Sequence, residues 1–275
     1  MKLKNKIIGL LLVFCLVAGL MPTAAFAAGT GKAIQLGADA LNESVNDKNA
    51  ATVYFGKNNE DAPGAWRVIG YNGEGVASAQ ENMTLLAAGN MGFVKFDIDE
   101  TSNVYADSDL KTAVDALAGK LTEKETAAVN KRTLVSGSYN EEYTDCVSGA
   151  QVDNAVFWPL STKEAEMVSW DIKALSDENM LAMYYWWLRS PGSKDNVASV
   201  VRGGGGAYFY GFVVRSEFGV RPAFNLNLNS VLFTSAAEGG KSSGPIGPGA
   251  LEEVLKYTGS EWKLTLKDGS RDSFL

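Results

Sequence analysis

The spacing of hydrophobic positions changes character twice along the chain. Val53-Tyr54-Phe55-Gly56 and Trp66-Arg67-Val68-Ile69-Gly70 are short runs of β-branched and aromatic residues, parted by turn-formers at residues 58–64. The apolar run Met83-Thr84-Leu85-Leu86-Ala87-Ala88 ends at Gly89-Asn90. These runs predict strands and the polar breaks between them predict turns. The period then lengthens: Leu110, Val114, Leu117 and Leu121 recur at helical spacing, with Ser108 or Asp107 as cap. Thr122-x-x-Glu125 and Ser161-x-x-Glu164 carry the capping-box pattern and predict two further short helices. The second follows Ala155-Val156-Phe157-Trp158-Pro159-Leu160, which predicts a buried strand ended by proline. Ser176 predicts a fourth helical turn through Met183, and from Tyr184 onward the pattern returns to strand and loop through residues 184–192, 197–216 and 218–228.

The two ends read differently. Lys2, Lys4 and Lys6 precede a continuous apolar run over residues 7–20, and Pro22 precedes Ala25-Phe26-Ala27. This predicts a secretory signal peptide over residues 1–27, because the run is short of the roughly 20 apolar residues that a membrane span needs. Residues 28–50 are polar and small and predict a lead-in, residues 51–237 the main domain, and the Gly/Ser/Pro-rich residues 238–250 a linker. Beyond it, Glu261-Trp262-Lys263-Leu264-Thr265-Leu266 alternates and Asp268-Gly269 signals a hairpin turn. Residues 251–275 therefore predict the start of a second, truncated β domain.

Composition removes several chemistries. The chain of 275 residues has 25 Lys+Arg, 32 Asp+Glu and no His, so imidazole bases, His-paired nucleophiles and His-ligated metals are excluded. Loss of residues 1–27 takes three lysines and no acid, moving the formal charge from −7 to −10. An acidic chain without a basic run does not suit nucleic acid or an anionic membrane surface. Cys15 leaves with the signal, so Cys146 has no partner for an intramolecular disulfide. The expected location is extracytoplasmic, secreted or at the cell surface, with no membrane insertion after cleavage and with the oligomeric state open.

The remaining candidates are few. Asp97-Ile98-Asp99-Glu100 places two carboxylates on one face if extended, but lacks the glycine and terminal glutamate of a calcium loop, so a solvated loop is expected. The run Gly203 to Gly206 has no Lys-Ser/Thr and no following helix, which excludes a phosphate loop and predicts a turn or hairpin tip. After it come Tyr208, Phe209, Tyr210 and Phe212, between Arg202 and Arg215. Alternation puts Tyr208, Tyr210 and Phe212 on one face of a strand and Phe209 on the other. Large rings beside guanidinium groups form the composition of binding hot spots, with burial of at least two rings expected. Arg189 and Arg221, in the settings Trp-Leu-Arg-Ser-Pro-Gly and Gly-Val-Arg-Pro-Ala-Phe, read as structural clamps that satisfy loop carbonyls.

Those two blocks, with the earlier Val53 and Trp66 runs and Trp158-Pro159-Leu160-Ser161, resemble an uncharacterised domain of mostly Gram-positive bacterial surface proteins. That domain looks like the C-type-lectin-like fold shared with formylglycine-generating enzymes. The resemblance implies an α+β fold, short helices packed on twisted antiparallel strands, over roughly residues 51–235. The enzyme branch uses a pair of reactive cysteines near the end of the domain, and the mature chain has only Cys146, well before it. The chain thus resembles a binding branch: non-catalytic, without cofactor or metal, with an extracellular protein or glycan as ligand and Arg202, Tyr208, Phe209, Tyr210, Phe212 and Arg215 as contact residues. Residues 199–216 also contain no Lys, Glu, Gln, Met or Trp, the types that adenine-directed mutagenesis of Asn codons never produces. This is similar to the variable regions diversified by retroelements, and equally a compositional accident of a short strand-turn-strand segment. An acid-based or formylglycine-type enzyme, and a structural spacer of a larger surface protein, are the competing expectations.

Overall fold

Alternation in residues 52–57 buries Val53 and Phe55 and leaves the residues between them half-covered, while residues 66–71 continue into a stretch buried on both faces. This difference places the second strand near the middle of a sheet. The computed structural model describes residues 34–174, 185–238, 241–242 and 259–267. Its strands begin with β1 (Ile34–Leu36), β2 (Thr52–Lys57), β3 (Pro63–Tyr71), β4 (Glu74–Gly75), β5 (Asn82–Ala87) and β6 (Phe93–Lys95). Four short strands follow, β7 (Val129–Asn130), β8 (Arg132–Leu134), β9 (Val152–Ala155) and β10 (Trp158–Pro159). After these come β11 (Trp186–Pro191), β12 (Val197–Val201), β13 (Ala207–Val213), β14 (Glu217–Gly219) and β15 (Pro222–Asn227). The last are β16 (Val231–Glu238), β17 (Lys241–Ser242) and β18 (Glu261–Leu266).

These strands form a large sheet in the order β1-β16-β18-β2-β3-β5-β15-β10, a five-stranded sheet β13-β12-β11-β14-β6, and the pair β8-β9. Most pairs are antiparallel; β18 with β2 and β11 with β14 are parallel. The α+β expectation is corrected by this arrangement. Among the described residues there are four α-helices, α1 (Asp109–Ala118), α2 (Glu123–Ala127), α3 (Thr162–Met167) and α4 (Trp170–Lys173). Only α1 exceeds two turns, so they make no helical layer, and the molecule is mostly β. The caps themselves formed as the spacing required: Ser108 accepts from the Lys111 amide, and both capping boxes are complete. Strong caps had marked where helices start without saying how short they are.

The C-terminal expectation changes as well. Trp262 pairs with Val53 on one side and Ala236 on the other, so β18 is an internal strand of the large sheet rather than the opening of a separate, truncated β domain. The lead-in contributes too, since β1 pairs with β16. The signal peptide, the helical turn from Ser176, the linker residues 239–240 and 243–250 and the Asp268-Gly269 turn lie outside the described residues.

Packed rings hold the sheets. Trp66 meets Phe157 and Phe224 at centroid distances of 5.1 and 4.7 Å, and Phe55 stacks on Phe224 at 5.2 Å. Under the smaller sheet Trp187 contacts Phe96 and Phe218. Fully buried aromatic side chains contribute on the order of 2–3 kcal/mol each by area alone. Arg221 is buried and donates to the carbonyls of Ala87, Ala88, Ile172 and Lys173, which ties β5 to the end of α4. It is the carbonyl clamp its setting suggested, and burial, with the like charge of Arg67, lowers its pKa. Arg189 is a different device: it bonds the Pro159 carbonyl but turns mainly to the carboxylates of Glu164 and Asp145.

Candidate ligand-binding surface

The tetraglycine is the tip of a β12–β13 hairpin. The Arg202 amide donates to the Gly206 carbonyl at 2.9 Å, and the Gly205 amide donates to the Arg202 carbonyl at 2.7 Å. Gly205 has φ +85°, so this is a three-residue loop whose last residue is left-handed, the geometry that needs glycine there. A Cβ on Gly205 would also meet the Trp170 ring at 3.2 Å, so the tip rests against α4.

Past the tip, β13 is the outer strand of the smaller sheet. Its pairing with β12 slips: Val200 faces Tyr208 and Ala198 faces Phe212, so the bulged strand spends two extra residues between them. Gly211, at φ +78°, turns the bulge, and a Cβ there would lie 2.4 Å from the Ala198 carbonyl. The bulge alters the simple alternation. Tyr208 contacts Tyr210 and Phe212 at 5.8 and 5.7 Å, as a shared face requires. Phe209 also contacts Tyr210, at 4.5 Å, and reaches Tyr143 at 5.4 Å.

Exposure grades along this strand. Phe212 is half-buried, against Tyr185 and Phe218, and links the surface to the Trp187 cluster. Tyr208 and Phe209 are half-buried, and Tyr210 is 44% exposed. Arg202 is exposed, with its guanidinium carbon 3.6 Å from the Tyr208 ring centroid. Arg215 is exposed beyond the end of β13, and among the described residues it touches none of these rings. Ser199, Val200, Val201 and Val214 are buried, so the outward part of residues 199–216 is the stretch from Arg202 to Val213 with Arg215.

Four neighbours have no local signal in the sequence. Tyr143, 40% exposed, stands on a loop held by the Arg189–Asp145 and Arg132–Asp145 ion pairs. Tyr139, on the same loop, has its pKa raised by burial and then by Tyr210, Glu141 and Tyr208, which sets it beside the β13 rings. The Tyr143 pKa is raised by burial and by the Glu166 carboxylate. Trp170 and Met167, 60% and 52% exposed, extend the apolar surface past the glycine tip. Only the separation in sequence hid them, since no local pattern joins residues 139–143, 167–170 and 208–212.

The loop is anchored from beneath. Glu164 is buried, completes the capping box with Ser161 and pairs with Arg189 and Arg132. Burial would raise its pKa, but Arg189 and then Arg132 outweigh this and hold it at about 2. Burial similarly opposes the charge of Arg189, and Glu164 and Asp145 more than restore it. This is a four-residue ionic network in which every carboxylate oxygen is bonded, which offsets much of the cost of burying Glu164 and Arg189, while the Arg189 Nε–H finds no acceptor among the described residues.

The other chemical candidates of the sequence sit in structural settings. The Asp97 carboxylate accepts from the amides of Asp99, Thr101 and Ser102, and Asp109 accepts from the Ile98 amide, so these acids shape a loop. Among the described residues, no group of three or more Asp, Glu, Cys or His is placed to hold a metal ion. Arg221 is surrounded by carbonyls, and Cys146 is buried with its Sγ near the Ser138 carbonyl and the Thr144 hydroxyl. A groove of about 570 Å³ lies elsewhere, between Tyr54, Thr122 and Lys263.

Fold and site together define a mostly β protein that displays an aromatic and arginine surface on the outer strand of its smaller sheet. The chain belongs to a family described as a domain of unknown function (DUF6273), whose match spans residues 81–228. No curated protein matches the chain, and no solved structure does. The matched span contains the whole smaller sheet and its aromatic strand, together with β5, β7, β10 and β15 of the larger one.

Proposed function

We propose that this is a secreted or cell-surface binding protein of bacterial, Gram-positive type, acting without catalysis through the surface centred on β13. The observation that carries the reading is the graded ring cluster, Phe212 to Tyr208 to Tyr210, with Arg202 stacked on Tyr208 at its solvent edge. Rings anchored at one end in the core and open at the other lose little side-chain freedom when a ligand covers them, which favours binding. A spacer would have no need to expose Tyr210, Tyr143 and Trp170 together. The ligand is an extracellular protein or glycan, and the outward positions from Arg202 to Val213 are those at which a diversified copy of this surface would vary.

The test is an array of extracellular proteins, mucins and glycans probed with the mature chain and with the double variant Tyr208→Ala/Tyr210→Ala. Retained signal of the wild type on particular spots, lost at least tenfold in the variant at an unchanged fold by circular dichroism, is the expected result. Equal signals from both proteins would remove β13 as the binding surface.

A further inference from the structure

The surface carries two cations that meet no carboxylate among the described residues. Among the described residues, neither Arg202 nor Arg215 enters an ion pair, although the chain has an excess of acid and five other basic side chains are paired. No hydrogen bond among the described residues takes up the Arg202 guanidinium. With its carbon 3.6 Å from the Tyr208 centroid, the guanidinium lies over the ring, a contact that restrains the fork while engaging none of its N–H groups in a hydrogen bond among the described residues. A held, planar, unpaired guanidinium matches a carboxylate in bidentate geometry. Arg202 stands where β13 begins and Arg215 just past its end, so a chain lying along the strand meets a cation at each end and rings between.

From this we propose that the β13 surface takes an extended acidic segment of another protein, with one carboxylate on Arg202 and a second near Arg215. The proposal rests on the binding reading above and names its ligand class. A protein segment is favoured over an acidic glycan by the exposed aliphatic and thioether side chains of Val213 and Met167, which offer sugar hydroxyls no good hydrogen-bonding partner. The position of β13 as an outer strand also suits an extended backbone.

The experiment immobilises a random glutamate–tyrosine copolymer, a lysine–tyrosine copolymer and polygalacturonate, and measures binding of the mature chain and of Arg202→Ala, Arg202→Lys and Tyr210→Ala. Expected is salt-sensitive binding to the glutamate–tyrosine copolymer alone, weakened at least tenfold by Arg202→Ala and not rescued by Arg202→Lys, because lysine has no fork. No wild-type binding to that copolymer overturns the proposal, as does equal binding by Arg202→Ala. Equal binding to polygalacturonate overturns it in favour of an acidic glycan. Loss in Tyr210→Ala with Arg202→Ala unaffected leaves the surface reading standing and removes the acidic segment, whereas no effect of either variant removes both.

Discussion

Individual side chains in the aromatic strand divide by what lies beneath them. Tyr210 projects from the rest, so Tyr210→Ala is expected to change stability by no more than about 0.5 kcal/mol in a chemical denaturation. Phe212 packs on Tyr185 and Phe218, and Phe212→Ala is expected to cost about 2 kcal/mol in the same measurement, a partly buried version of the core substitution. Glu164 gives the pH dependence. Its folded pKa of about 2 lies below its ordinary 4.5, so its contribution is complete above pH 4.5 and is lost as pH falls from there through 2. Glu164→Gln leaves Asp145 as the one carboxylate for Arg189 and Arg132 among the described residues. It is expected to cost about 3 kcal/mol at pH 7 and to flatten the denaturation midpoint across that acid window.

At the scale of elements, local signals were legible and distant pairings were not. The runs around Val53, Trp66 and Leu85 became β2, β3 and β5, and Ser108, Thr122 and Ser161 capped the helices, because each signal is contained in a few consecutive residues. The same cap spacing says nothing of helix length, and α2 to α4 stop after one or two turns, which moved the class from α+β to mostly β. The alternation of residues 261–266 also reported a strand faithfully, but its partners, β16 antiparallel and β2 parallel, are set by long-range registers that no local turn encodes. At the candidate surface the six named residues were readable as composition, while Tyr139, Tyr143, Met167 and Trp170 reach it only through tertiary packing. The bulge that gathers the rings has its own requirement. Gly211→Ala puts a Cβ against the Ala198 carbonyl at positive φ, and a loss of more than about 1 kcal/mol is expected by thermal unfolding.

For the whole molecule, the family match and the sheet divide at one line. Strands β1, β16, β18, β2 and β3 stand together on one side, outside residues 81–228, and β5, β15 and β10 stand on the other, inside them. A fragment of residues 81–228 would keep the aromatic surface and bare the edge of β5, whose residues are all buried in the full chain. Such a fragment is expected to associate through that edge, seen as higher oligomers in size-exclusion chromatography where the full chain gives a narrower peak. The place of β18 has a further result, in time rather than space. Synthesis delivers residues 52–57 and 231–238 before residues 261–266, yet the first two strands border each other only through the third. Half of the large sheet therefore waits on a strand made late, and the earlier strands travel without their final neighbour. The sheet cannot close across β2, β18 and β16 until residues 261–266 exist, so a chain cut before them is left with two strands that have lost their shared neighbour.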